Sequence, residues 1–454
     1  MSCFLDRLRK FRNSELLALG KSSSFLFAMR IFGAAIVYLT QVLLARWAGP
    51  HELGVYVFAF SWVIIISNLA VMGFPTVAVR VIGAGLANGE HGLARGFINR
   101  SYQLVVGYGF ILAALAWLIL IWWYPDMGKD KMIPLLVAFS IVPFFSLMRI
   151  QGGFAHAFSW FRTRDLTNQV LRPLMLLLAI WVVWISGNPL SAVLVITMHF
   201  IIILILDAGQ SYVLFRGFKR TLNPVQPAYQ TTMWIRAAIP LFFVSLFTLY
   251  YPELNMILVG SFMSESDVAI YNACFRTAFI IAFGLIAVDS VILPRISYLF
   301  EIGATQELQR LISRSTLLKV FGSIFSLCVL AVAGKQILNL FGAEFVHGYT
   351  TLLLLGLAQM IRAIGGIAAE FLAVTGHQDR CLPVFTIALI ATVALNSLLV
   401  PTFGLTGAAV SVVLVITAST IWLNVLVLRY LGVAPSIFAV KLTKIEPSFE
   451  KESH

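Results

Sequence analysis

Apolar runs of about 20 residues, the length an α-helix needs to cross ~30 Å of hydrocarbon, dominate this chain. Reading for them gives twelve, at 22–45, 53–78, 102–123, 132–158, 166–185, 190–213, 233–260, 268–294, 317–333, 348–374, 381–399 and 407–428. Inside lipid every backbone N–H and C=O must find a partner within its own segment, so single spans of this length are helices. The connections are short and leave no room for a soluble domain. Composition agrees: 60% of the 454 residues are hydrophobic and only 11% are charged, against roughly 25% charged in a soluble domain. The basic N-terminus, "MSCFLDRLRKFRNSELLALGK", leads into an apolar stretch that contains Arg30 and no small-residue cleavage site. It reads as a retained first span rather than a signal peptide.

A net charge of +12 would suggest nucleic acid in a soluble protein. Here the charges sit in short loops, where they set topology and meet anionic lipid. With the N-terminus cytoplasmic, inner loops and tails hold 21 of the 32 Lys and Arg residues. Outer loops hold four (Arg46, Lys129, Lys131 and Lys335), and seven fall within spans. The positive-inside rule then places both termini in the cytoplasm.

The chain also repeats itself. "SAVLVIT" at Ser191–Thr197 recurs as "SVVLVIT" at Ser411–Thr417, in the sixth and twelfth spans. At an offset of 215 residues, Tyr56 meets Tyr271, Phe60 meets Phe275 and Arg80 meets Arg295. The expected fold is therefore an all-α polytopic membrane protein, with about twelve transmembrane helices in two parallel six-helix lobes around a central cavity. The boundaries are 1–213 for the first lobe, 214–232 for a cytoplasmic linker, 233–431 for the second lobe and 432–454 for a cytoplasmic tail.

Three stretches carry a family likeness. "LLARWAGPHELGVYVFAF" (Leu43–Phe60) joins the first two spans through a knot of Gly49, Pro50 and Gly54, and "MILVGSFMSESDVAIYNACFRTAFIIAFG" (Met256–Gly284) is its counterpart in the second half. "LNSLLVPTFGLTGAAVSVVL" (Leu395–Leu414) follows "FLAVTGHQDR" near the end. Together they resemble the polysaccharide transporter (oligosaccharide or O-antigen flippase) family of the multidrug/oligosaccharidyl-lipid/polysaccharide flippase superfamily. The resemblance implies a flippase of polyprenyl-diphosphate-linked oligosaccharides in the cell inner membrane, serving lipopolysaccharide, O-antigen or exopolysaccharide synthesis. It implies a lipid-linked oligosaccharide substrate, contact with membrane lipid, no nucleic acid and no cofactor, and it allows contact with a polysaccharide polymerase.

Ionisable residues within spans are costly, about 2.5–3.5 kcal/mol at the bilayer centre, and so mark function. Seven bases (Arg30, Arg149, Arg172, Arg236, Arg276, Lys319 and Arg362) and four acids (Asp207, Glu253, Asp289 and Glu370) qualify. Arg172, Arg236 and Lys319 lie near cytoplasmic ends and can snorkel; Arg149 is ambiguous by depth. Arg30, Arg276 and Arg362 lie deeper and must face protein or water. Ser23, Arg30 and Gln41 fall on one line of the first span, and Asn272 shares a helical face with Arg276. In the tenth span Arg362, Gly366 and Glu370 follow at i+4 steps, so Arg362 and Glu370 could equally neutralise each other. The substrate-binding set is Arg30, Arg276, Arg362, Gln41 and Asn272, a cationic cavity for the diphosphate, since Arg grips phosphate bidentately. The coupling or gating set is Glu253, Asp289 and Glu370. Tyr38, Tyr250 and Tyr271 could stack on sugars or simply pack.

An enzyme is disfavoured, because no nucleophile–base pair or P-loop is found and the seven histidines and four cysteines form no metal spacing. Two transporters remain as alternatives: a multidrug extrusion antiporter, for which Glu253 and Glu370 speak, and a lipid II flippase.

Overall fold

Helices make up the regular structure of the computed structural model, which describes residues 2–123, 128–160 and 165–435. In chain order they are α1 (Ser2–Val71), α2 (Phe74–Ala87), α3 (His91–Trp123), α4 (Lys129–Ala157), α5 (Arg172–Ile185, entered through a π-turn at Leu166–Leu171) and α6 (Ala192–Thr221). The second half holds α7 (Thr231–Phe262), α8 (Glu265–Glu301), α9 (Thr305–Asn339), α10 (Tyr349–Ile364), α11 (Ala368–Val374) and α12 (Cys381–Leu431).

Eight helices are long and apolar enough to cross a membrane, or up to ten if each of two bent pairs is one span. Two of those helices are too long to be single spans, since the 51 residues of α12 would measure about 75 Å if straight. Each breaks at a glycine: α1 at Gly49 (φ 88°, ψ 168°) and α12 at Gly404 (φ 59°, ψ −139°), with Pro50 and Pro401 close by. Only glycine adopts such backbone angles at little cost. Divided there, the ten become the twelve segments expected.

The boundaries shift, however. α3 starts at His91 rather than 102, α6 runs on to Thr221 rather than 213, and α9 covers Thr305–Asn339 rather than 317–333. Hydropathy registers only the lipid-crossing part of a helix, so these extensions were invisible to it. The segment between the halves shrinks to 222–230. The tenth span is not continuous: α10 and α11 meet at a 44° bend, with Gly366 at φ +75°. The i+4 row of Arg362, Gly366 and Glu370 is therefore corrected. A break after Ile364 takes Glu370 off the helical face that carries Arg362. The expected tail also changes at its start. Gln309 holds both Ala434 backbone groups, at 3.0 and 2.9 Å, and Val433 is buried; residues 436–454 lie outside the described residues.

Three apolar cores explain how the lobes sit. The largest draws on both halves, packing Leu44, Leu53, Tyr56 and Phe139 with Tyr271, Phe275, Phe341 and Leu352. A second gathers Phe74, Phe97, Phe154 and Leu222 with Trp234 and Ala238 of α7, and a third belongs to the second lobe (Ile296, Ile312, Phe371, Val427). One shared core at one end and two separate cores at the other describe lobes joined on one side and parted on the opposite side, where only the first half of α7 crosses to the first lobe.

At the joined end Arg46 donates to the carbonyls of Leu340 (2.7 Å) and Asn339 (2.8 Å), and Lys131 pairs with Glu265, which also lies 3.9 Å from His51. Gly54 rests on the Glu265 backbone, where any Cβ would collide with its carbonyl. Gly54 thus serves the approach of the lobes more than the turn at Gly49. α7 bends by 63° between Phe247 and Tyr250. Its first half packs Trp234 and Ala238 into the first lobe, and its second half places Tyr251, Met256 and Val259 in the shared core.

Candidate binding site between the lobes

A polar layer lies where the shared core meets the parted ends. α4 contributes Arg149, whose Nη2 donates to the Tyr250 hydroxyl of α7 and to Asn68 Oδ1 of α1 at 3.4 Å. Its guanidinium stands 4.5 Å from the centre of the Tyr250 ring. Arg172, the first residue of α5, places its guanidinium 5.3 Å from the Phe145 ring centre. From the second lobe comes Arg276 of α8, whose Nε donates to Asn272 Oδ1 at 3.1 Å. Asn272 Nδ2 in turn donates to Gln41 Oε1 of α1 at 2.9 Å, which closes a bond between the lobes.

Glu253, one turn after the bend in α7, is the acid of this layer. It acts electrostatically on both Arg276 and Arg149, and its Oε2 is buried without a hydrogen-bond partner among the described residues. Arg172 and Arg276 interact with each other and with Tyr56. The Tyr56 hydroxyl lies 3.1 Å from His199 Nδ1, and Phe60 stacks on the same imidazole at 4.3 Å. Tyr38 reaches Thr277 Oγ1 across the lobes at 3.0 Å. Arg149 and Arg276 interact with the Glu253 carboxylate and Arg172 neighbours both arginines, so positive charge exceeds negative in this layer.

The expected residues separate into two places. Arg276, Gln41, Asn272 and Glu253 meet in this layer. Gln41 is buried by its bond to Asn272, so the wet stripe expected on the first span does not include it as an open group; the Ser23 side chain lies outside the described residues. Arg30 and Arg362 are exposed, and neither bonds to the layer among the described residues. Asp289 pairs with Lys319 at 2.7 Å, and Lys319 also donates to the Gly366 carbonyl at 3.0 Å. Arg362 and Glu370 act electrostatically on Asp289, and no ion pair joins the two to each other among the described residues.

Two readings by depth are corrected. Lys319 is 3% exposed and paired, and Arg172 turns inward to Phe145 and Tyr56, so neither snorkels. Distance from a helix end does not say which way a side chain faces. Arg149 joins the layer, and His199 was missed although a histidine in mid-span was a visible signal. Among the described residues no group of three His, Cys, Asp or Glu side chains could hold a metal ion.

Residues 19–300 match the family described as polysaccharide biosynthesis protein. The chain is 23% identical over 431 residues to a probable low-salt glycan biosynthesis flippase, Agl15, of Haloferax volcanii, covering 89% of this chain and 82% of that one. It superposes on a multidrug resistance MATE family transporter of the MOP superfamily, solved inward-facing, with TM-score 0.71 and 13% identity over 91% of this chain and 96% of that one. The lipid II flippase MurJ in an inward closed conformation gives TM-score 0.62 at 14% identity, over 89% and 87% of the two chains. At such identities these structures share the fold with this chain and nothing finer.

Proposed function

The chain belongs to the polysaccharide biosynthesis protein family, and from that premise we propose that it flips polyprenyl-diphosphate-linked oligosaccharide repeat units across the cytoplasmic membrane for O-antigen or exopolysaccharide synthesis. It is a multi-pass membrane transporter and not an enzyme. The observation that carries the reading is the meeting of Arg149 from one lobe and Arg276 from the other at Glu253, with Arg172 beside both arginines. A diphosphate bears about two negative charges that must not enter hydrocarbon bare. Guanidinium groups from both lobes can hold it while the lobes rock, because the anion stays paired with one side when the other withdraws.

Glu253 supplies the return step. With the diphosphate gone, its carboxylate compensates the arginines; with the diphosphate bound, the better bidentate acceptor takes over. The positive-inside count puts the parted ends of the lobes toward the cytoplasm, so the lipid-linked head group enters there. Arg46, Lys131 and Glu265 then form the closed outer side. Arg30 and Arg362, both exposed, serve as outlying contacts for the sugars or the phosphate path.

The test is reconstitution. Purified protein in liposomes should move a polyprenyl-diphosphate glycan between leaflets with its mass unchanged, and Arg276→Ala should abolish this. A glycan lengthened by the protein, or transport of cationic dyes in place of the glycan, would overturn the reading in favour of an enzyme or a multidrug extruder.

A further inference from the structure

The last span of each lobe leads into the same short pattern, "VQP" from Val225 after α6 and "VAP" from Val433 after α12. Both segments are straps laid across the start of a third-span helix, α3 in one lobe and α9 in the other. In the first lobe the Ala228 N–H donates to the Gly92 carbonyl at 2.8 Å, and a Cβ at Gly96 would meet the Ala228 carbonyl. In the second lobe side chains make the contact. Gln309 Oε1 accepts from the Ala434 N–H at 3.0 Å, and its Nε2 donates to the Ala434 carbonyl at 2.9 Å. Thr316 Oγ1 donates to the Pro435 carbonyl at 3.3 Å, from the same face of α9 as Gln309. The first strap is fixed at both ends, between α6 and α7. The second is fixed by α12 at one end and, among the described residues, by its bonds to α9 beyond it.

The second strap also reaches the break between α10 and α11. Val433 is buried in one core with Phe371 and Leu372 of α11. The Pro435 carbonyl stands against Gly366, where any Cβ would collide with it. A helix break frees carbonyls that need donors, and other elements supply them. Lys319 of α9 donates to the Gly366 carbonyl and Asn424 of α12 to the Gly365 carbonyl, each at 3.0 Å. The strap therefore adds no hydrogen bond to the break; it fills the space beside it. Arg362 lies ahead of the break and Glu370 after it, and both act electrostatically on Asp289. The angle between α10 and α11 thus arranges the charges around Asp289. We propose that residues 433–435 form a clasp that holds the 44° bend between α10 and α11, and that release of the clasp from Gln309 and Thr316 frees α11 to move. The clasp stands on its own residues, whatever substrate the transporter moves.

The experiment follows amide hydrogen exchange by mass spectrometry on the full-length protein in nanodiscs, since exchange reads the population of locally open states. Gln309→Leu removes two of the three strap bonds, each worth roughly two- to tenfold in an equilibrium. Exchange in α11 should rise about tenfold or more, while α4 and α8 keep wild-type rates. Thr316→Val keeps the side-chain shape and loses one bond, so it should give a smaller rise in the same helix. The reverse coupling separates a clasp from a mere loss of packing. Gly366→Ala alters neither Gln309 nor Ala434, yet its Cβ should push the Pro435 carbonyl away and speed exchange of the Ala434 N–H. Wild-type exchange of α11 in both Gln309→Leu and Thr316→Val, or a protected Ala434 N–H in Gly366→Ala, overturns the proposal. So does a rise spread evenly over both lobes, which reports unfolding instead of release.

Discussion

Asn272 bonds to Gln41 across the two lobes at 2.9 Å with its amide nitrogen while its oxygen holds Arg276 at 3.1 Å within α8. One side chain therefore ties the lobes together and aims a guanidinium at the space between them. Outward opening at this level must break the first bond and can keep the second.

Asn272→Leu removes both bonds and leaves the Gln41 amide unpaired, a cost of about 1–3 kcal/mol. Glycan transport in liposomes should fall about tenfold at matched protein amount. Gln41→Leu removes only the tie between lobes and should cost less. Equal defects in the two variants would show that the aim of Arg276 is unimportant.

The arginines of the layer should not tolerate lysine. Arg149→Lys, Arg172→Lys and Arg276→Lys keep the charge but lose the planar fork, and each should lower transport several-fold. Arg236→Lys, at an exposed position on the first half of α7, should behave as wild type. Complementation of a transport-deficient strain, with abundance checked by immunoblot, reads the difference. Defects confined to Arg30 and Arg362 variants would move the head-group site out of the layer.

Much of this was legible in the chain. Twelve spans, two repeats and the deep Arg276–Asn272 pair follow from apolar run length, an offset of 215 and helical spacing. What failed was facing. Arg172 and Lys319 lie near the ends of their expected apolar runs, yet both turn inward, because Phe145 and Tyr56 receive one and Asp289 the other. The Gly365–Gly366 break hid as well, since two glycines in an apolar run leave hydropathy unchanged. Only tertiary packing reveals that the chain bends there and that Arg362 and Glu370 part company.

The Lys131–Glu265 latch at the joined end should set the resting conformation. Lys131→Ala removes an ion pair worth about 0.2–1 kcal/mol, enough to shift a two-state population up to about fivefold. Spin labels at Lys129 and Phe262 should report a larger share of long distances in the variant. Gly54→Val, which drives a side chain into the Glu265 carbonyl, should shift the distribution further. Unchanged distance distributions in both would show that these contacts follow lobe closure without favouring it.

Asp289 is the sharpest test of role, because its pairing with buried Lys319 allows either a structural or a coupling duty. Asp289→Asn leaves an ammonium buried without its counter-charge, a penalty of about 3–5 kcal/mol. Abundance after a heat challenge in detergent should drop. Replacing both partners, as Asp289→Leu with Lys319→Met, removes the charge and its counter-charge together and should recover most of that stability. The restored protein then separates the two duties. Wild-type transport by the double variant means the pair only holds α8 to α9 beside the Gly366 break. A stable double variant that binds glycan yet fails to move it means that making and breaking this ion pair belongs to the transport cycle.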